Sequence, residues 1–279
     1  MKLREYFYML GFKPKTRSYG YEEREQQLEG QTVRYAQWMH PKAYPVAVQQ
    51  KELQRIRQYL QPGDVAIDIG AHAGDTMLPM ALAAGKTGAV VCFEANPLVF
   101  PTLDYNAGAN PDLTTIHAHN VAITETEGPF EFSSNDPGFN NGGTTSRTNK
   151  FRRGDVFRME VPGVRLDGFM QQHHPELVDK LRFIKIDTEG YDLYILRAIA
   201  DLLQRTRPVV QAEVLHLTPQ EYRLDMLNFF RDNGYVPTHM RSSGAAPLKV
   251  MEDEDTISKT NFDIIGIPEE RLAAARNAA

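Results

Sequence analysis

The stretch Val65-Ala66-Ile67-Asp68-Ile69-Gly70-Ala71-His72-Ala73-Gly74-Asp75 constrains the fold of this chain more than any other. It is an apolar run ending with a carboxylate, then a glycine-bearing turn, then an Ala/Leu/Met-rich segment that predicts a helix over 75–84. A second apolar run, Val90-Val91-Cys92-Phe93, ends in Glu94. Strand, turn, helix and strand in that order make a βαβ unit, and sheets built from such units bind ligands at the carboxyl ends of their strands.

The glycine spacing separates the ligands such a unit can take. Dinucleotide sites use G-x-G-x-x-G because a pyrophosphate must lie against backbone N–H groups at a helix N-terminus. Here His72 stands at the middle position and no third glycine follows at that offset, which disfavours a nicotinamide-dependent dehydrogenase, the alternative enzyme. S-adenosylmethionine carries no phosphate. It needs close backbone approach and a carboxylate at its methionine end, which Asp68, Gly70 and Gly74 offer. It also needs an acid for two ribose hydroxyls, which Glu94 offers at a strand end. Taken singly, two glycines make a tight turn and Glu94 is a solvated strand end. Together, at this spacing, they point to a cofactor site.

Composition narrows the partners. With 31 Lys and Arg against 36 Asp and Glu the net charge is −5, where a nucleic-acid surface wants a basic excess. The single cysteine, Cys92, lies within an apolar run and reads as a buried hydrophobe, which suits a reducing compartment. No apolar run approaches the roughly 18 residues of a membrane span and the start lacks a signal-peptide core, so a cytoplasmic location is expected.

Residues 1–60, rich in Glu, Gln, Arg and Tyr, read as a helical N-terminal extension, with a short helix at the start and another over 46–60. Such an extension could pack on the core, form a lid or make a homodimer contact. Residues 61–279 read as the fold proper. Strand-like runs at 65–69, 89–94, 113–119, 183–187, 208–214, 235–238 and 262–267 alternate with helical ones, which predicts an α/β fold with a mostly parallel sheet and helices on both faces. The turn-rich segment 133–160, after a short strand at Phe130-Glu131-Phe132, reads as a substrate-side loop inserted in that fold.

The second chemistry-bearing run is Phe183-Ile184-Lys185-Ile186-Asp187-Thr188-Glu189-Gly190-Tyr191-Asp192. Its strand delivers Asp187 and Glu189; the next, Val209 to Val214, delivers Glu213, with His216 close behind. Methyl transfer to oxygen needs positioning and one general base, and Asp187, Glu189 and His216 are the candidates, Asp187 foremost. Asp192 reads as a charge at a helix N-terminus. Asp187, Glu213 and His216 also form an alternative set of Mg²⁺ ligands, ranked below the metal-free reading.

These motifs resemble the FkbM family of S-adenosylmethionine-dependent methyltransferases. The resemblance runs from about Gly63 to Pro268, through the 65–75 turn, Phe93-Glu94-Ala95-Asn96-Pro97, Asn120-Val121-Ala122-Ile123, Leu166-Asp167 and, most specifically, Ile184-Lys185-Ile186-Asp187-Thr188-Glu189-Gly190. It implies a Rossmann-like class I methyltransferase fold of seven strands, the last, at 261–267, inserted antiparallel. It implies O-methylation of a small-molecule or glycan hydroxyl, such as a sugar or secondary metabolite. It places Asp68, Gly70 and Gly74 at the methionine end, Glu94 at the ribose and residues near Asn120 to Ala122 by the adenine, with His72 and Ala95 also among the cofactor-binding residues. Family members often carry Asn where this chain has His72 and Glu where it has Asp192. A non-catalytic nucleoside-binding protein is the alternative from another class.

Overall fold

The computed structural model describes residues 12, 14–134, 136–140, 143–144, 157–240, 249–258 and 260–272. The described chain opens with strands β1 (Tyr21–Leu28) and β2 (Gln31–Trp38) and helix α1 (Gln50–Ile56). The first βαβ unit follows as β3 (Val65–Ile69), α2 (Met77–Ala84) and β4 (Ala89–Phe93), then α3 (Phe100–Gly108) and β5 (Ile116–His119). An inserted run comprises β6 (Ala122–Ile123), β7 (Gly128–Ser134), β8 (Gly143–Thr144) and β9 (Phe157–Val164). The chain returns through α4 (Leu166–His173), β10 (Leu181–Ile186), α5 (Asp192–Ala198), α6 (Ala200–Thr206) and β11 (Val209–Val214). It ends with α7 (Gln220–Asp232), β12 (Tyr235–His239) and β13 (Phe262–Pro268).

Seven strands form the central sheet in the order β12-β13-β11-β10-β3-β4-β5. Only β13 runs antiparallel, against both β11 and β12, so the expected seven-stranded, mostly parallel architecture is the one observed. Both faces of β3 and β4 are covered, which is why these strands read as near-continuous apolar runs. The two-residue period sends Ile67, Ile69, Val91 and Phe93 into one core with Ile184, Ile186 and α5 to α7. It sends Ala66, Val90 and Cys92 into the other, with α1, α2 and the N-terminal strands. The chain leaves β3 toward β4 and β5, then returns to β10 on the other side, so the switch point lies between the ends of β3 and β10.

The N-terminal extension departs from the helical expectation over 21–38. It forms an antiparallel hairpin pairing Tyr21 with Trp38 through Leu28 with Gln31. Glu29 and Gly30 turn the chain at φ of 50° and 80°, the doubly positive geometry that matches strand twist in a two-residue loop. The hairpin's open edge is met by a helix. Asn110 Oδ1 accepts from Arg34 N at 2.8 Å and Asn110 Nδ2 donates to Arg34 O at 2.7 Å. Asn106, one turn earlier on α3, does the same for Ala36 and also donates to Ala73 O at 2.7 Å. Two asparagines four residues apart thus satisfy alternate residues of an edge strand and tie it to the glycine turn. The helix expected over 46–60 is the shorter α1, which buries Leu53 and Ile56. The helix expected at the very start lies outside the described residues.

The inserted segment builds a second sheet, β6-β9-β7-β8. The short strand expected at 130–132 extends from Gly128 to Ser134, and β9 supplies a strand where a loop was expected, pairing Gly128 with Gly163 through Ser134 with Phe157. Within the expected 133–160 loop, residues 135, 141–142 and 145–156 lie outside the described residues.

Candidate active site

A cavity of about 380 Å³ opens at the carboxyl ends of β3, β4, β10 and β11, within the size range of small-molecule sites. Its floor carries Gly70, Glu94, Lys185, Asp187 and Glu213; the inserted sheet adds Phe130 and Phe132, and the 136–140 segment adds Phe139 and Asn140. Tyr44, from the N-terminal extension, completes one side.

The turn after β3 is held open by backbone geometry. Gly70 adopts φ of +83°, and a Cβ there would run into the carbonyl oxygen of Asp187 on the neighbouring strand, so only glycine lets the two strand ends approach. His72 sits at φ of 49°, a left-handed conformation that Asn, Asp and His tolerate best. Its backbone N–H donates to Glu94 Oε2 at 2.7 Å, and the N–H of Asn96 donates to Oε1 at 2.7 Å. Burial pushes the Glu94 carboxyl up to about 7 against these two donors. Glu94 is thereby fixed at the cavity edge with acceptor capacity left for hydroxyl donors.

Asp68 lies one layer lower. It is fully buried and does not line the cavity; its Oδ2 accepts from Thr76 Oγ1 at 2.8 Å, while Oδ1 has no hydrogen-bond partner among the described residues. Burial raises its carboxyl to about 6, with Lys185 opposing. Gly74, at φ of +95°, packs against Met77 and Leu103 and shapes the turn from behind. Ala95 and Ala122 line the cavity, whereas Asn120 braces it, donating to Glu94 O at 2.7 Å.

Across Gly70 stands a carboxylate group around one cation. Lys185, the penultimate residue of the buried strand β10, donates to Asp187 Oδ2 at 2.9 Å. Burial favours its neutral form, but Asp187, Asp68 and Asp75 together hold it well above the ordinary lysine range. Burial likewise works to raise Asp187, and Lys185 reverses this, so Asp187 stays ionised. Glu213 shares a hydrogen bond with Asp187, and burial beside Asp187, Glu189 and Asp192 raises it to about 9, so Glu213 is the protonated partner at neutral pH.

Asp192 begins α5 but is wholly buried; its oxygens accept from Thr188 N at 3.2 Å and Gly190 N at 3.0 Å. It staples the turn that presents Glu189, itself at φ of 56°, to the cavity. Burial and the Asp187 charge raise Asp192 to about 7.

His216 is not brought to the cavity. It is exposed, and its Nδ1 lies 2.7 Å from Asn261 Oδ1, whose amide in turn donates to Glu213 Oε1 at 3.1 Å. The alternative Mg²⁺ set of Asp187, Glu213 and His216 therefore does not converge. Among the described residues no group of three or more His, Cys, Asp or Glu side chains could hold a metal. Sequence reasoning passed over Lys185, Tyr44, Phe139 and Asn261 as cavity residues. Lys185 had a signal, a charge inside a strand otherwise buried on both faces; the others are placed by tertiary contacts.

Residues 68–237 match the family model described as the methyltransferase FkbM domain. The chain belongs to the FkbM methyltransferase family. Its described residues contain no helix long and apolar enough to cross a membrane. No curated protein matches the chain. Among solved structures it is similar to the methyltransferase FkbM from Methylobacillus flagellatus KT, with 13% identity and a TM-score of 0.45, over 73% of this chain and 43% of that one. This FkbM chain thus spans less than half the length of the Methylobacillus protein. Aeropyrum pernix fibrillarin with natively bound S-adenosyl-L-methionine is similar over 91% of this chain and 85% of its own, at 12% identity and a TM-score of 0.44. The precorrin-6y C5,15-methyltransferase from Geobacter metallireducens GS-15 gives 15% identity and a TM-score of 0.40 over 81% and 91%.

Proposed function

We propose that this FkbM chain is an S-adenosylmethionine-dependent O-methyltransferase acting on a hydroxyl of a small molecule or glycan. The observation that carries the reading is the placement of Glu94 and Asp187 in one cavity on either side of Gly70, whose missing side chain leaves the strand ends open. The residues present fit the cofactor. Gly70 and the backbone around His72 would take its methionine end, with Asp68 beneath them; Glu94 would take the ribose hydroxyls, and Ala95 and Ala122 the base. When bound, S-adenosylmethionine supplies an electrophilic methyl group on a sulfonium.

The chain's own residues supply the rest. Asp187, kept ionised by Lys185, accepts a hydrogen bond from the acceptor hydroxyl and fixes its orientation, and Asp187 or Glu189 takes its proton. Glu213, protonated, holds the far side of Asp187. His216 acts only through Asn261. Phe130, Phe132 and Tyr44 supply apolar faces suited to the ring of a sugar or aromatic acceptor.

The test is a transfer assay with methyl-labelled S-adenosylmethionine and a panel of neutral sugars and phenols, run with wild type and Asp187→Ala. Loss of the base and orienting group predicts a rate fall of about 10² to 10⁴ with S-adenosylhomocysteine binding retained. Undiminished turnover in the variant would remove Asp187 from the chemistry.

A further inference from the structure

Trp38, His40 and Tyr19 form a ring cluster at the end of the N-terminal hairpin. Trp38 stacks on His40 with centroids 4.7 Å apart, Tyr19 meets His40 edge-on at 4.5 Å, and Trp38 meets His72 edge-on at 5.1 Å. One end of the cluster thus touches the turn beside the cavity. The other end holds a segment of the cavity wall. His40 Nε2 lies 2.8 Å from Asp136 Oδ1, and His40 Nδ1 accepts from the Lys42 N–H at 3.1 Å, so Nε2 carries the ring proton and donates a hydrogen bond to Asp136. Asp136 also accepts from Gly138 N at 2.8 Å and from Lys42 Nζ at 3.3 Å. Arg17 N donates to Pro137 O at 2.9 Å.

The fit is close. A Cβ on Gly138 would come within 2.7 Å of Tyr19 and 2.8 Å of His40. On its other side the segment is held by Asn96, whose amide donates to Gly138 O and Phe139 O, each at 3.2 Å. Asn96 lies two residues from Glu94, and Phe139 packs in one cluster with Ala122 and against Ala95. The wall formed by Phe139 and Asn140 therefore stands at the end of the cavity assigned above to the nucleoside.

We propose that His40 and Asp136 form a latch by which the N-terminal hairpin clamps the Phe139–Asn140 wall over the nucleoside end, making the hairpin part of cofactor capture. The inference rests on the nucleoside reading of the cavity. His40 and Asp136 are positioning residues, since neither lines the cavity. The hairpin's anchorage on Asn106 and Asn110 gives the latch a fixed base, because those two side chains join it to α3 and the residues just after it, and Asn106 joins it to the glycine turn.

Calorimetric titration of the full chain with S-adenosylhomocysteine tests this, with His40→Ala, Asp136→Ala, His40→Gln and Asp136→Asn beside wild type. Gln and Asn keep a donor or acceptor at the latch, so they rescue binding to near the wild-type affinity, whereas the alanine variants weaken it about tenfold through the lost hydrogen bond. Trp38 is the single tryptophan, so its emission in wild type reports the cluster without any variant. The latch predicts that the ligand changes this emission and slows amide exchange across 136–140. Alanine variants that bind like wild type, or wild-type binding that leaves emission and exchange untouched, would overturn the latch and leave the nucleoside reading standing. If wild type does not bind the ligand at all, the nucleoside reading fails and takes the latch with it.

Discussion

Replacing Lys185 with methionine probes the electrostatic arrangement at the cavity floor. The substitution keeps length and apolar stem but deletes the cation 2.9 Å from Asp187. Lys185 exposes 8% of its side chain and Asp187 36%, so one partner is inside the protein and the other faces the cavity. Breaking a fully buried pair by removing one partner costs roughly 3–5 kcal/mol, and water reaching the open face of Asp187 places this case at about 3 kcal/mol near pH 8. That corresponds to a fall in melting temperature of roughly 6–12 °C. The sign of the pH dependence follows from the cation's role. In wild type Lys185 holds Asp187 below its ordinary value and opposes the burial that raises Asp68, so the stabilisation from ionised Asp187 is lost only in acid. Without Lys185 both carboxyls rise, and the penalty present at pH 8 shrinks toward pH 5 as they take up protons. Urea unfolding of both proteins at the two pH values measures this. A variant as stable as wild type at pH 8, or a penalty equal at both, would refute the reasoning.

Gly70→Ala should destabilise by about 2–5 kcal/mol, combining the left-handed backbone penalty with the displacement of the Asp187 carbonyl; an unchanged thermal melt would mean the turn relaxes without cost. Asp192→Asn isolates a buried carboxyl raised from 3.8 to about 7. A raised carboxyl stabilises fully below its unfolded value and loses that contribution as pH rises through its folded value. The stability of the asparagine variant relative to wild type should therefore climb by about 2–3 kcal/mol between pH 5 and 7. A flat difference in urea midpoints would show that Asp192 ionises in place without penalty.

The sheet was legible because its strands are buried on both faces. Val65 to Ile69 and Ala89 to Phe93 are apolar runs apart from Asp68, and nothing but a covered parallel sheet accommodates several such runs between helices. The hairpin was not. β1 is exposed along nearly its whole length, so Tyr-Glu-Glu-Arg-Glu-Gln-Gln-Leu shows no apolar period, and its partner β2 is held on its other edge by Asn106 and Asn110, some seventy residues away. β9 was hidden by Pro162 and Gly163, residues that argue against a strand interior; Pro162 is accommodated because β6 pairs with β9 only at Gly163 and Val164, leaving Pro162 paired on the β7 side.

At the site, strand ends announced Glu94, Asp187 and Glu213, because a carboxylate closing an apolar run has few other reasons to be there. Sequence distance misled for His216. It follows Glu213 by three residues, but the chain turns outward after β11 and Asn261 takes its place beside Glu213. Asp192 read as a helix N-terminal charge and does begin α5, but its burial and its hold on the left-handed Glu189-Gly190 turn are set by tertiary packing.

The central claim is that the cavity between Glu94 and Asp187 is built for S-adenosylmethionine, and calorimetric titration with S-adenosylhomocysteine beside NAD tests it most directly. The account predicts saturable one-to-one binding of S-adenosylhomocysteine and none of NAD. Binding of NAD alone would contradict the assignment of Gly70, His72 and Glu94 and the methyl-transfer reading built on them.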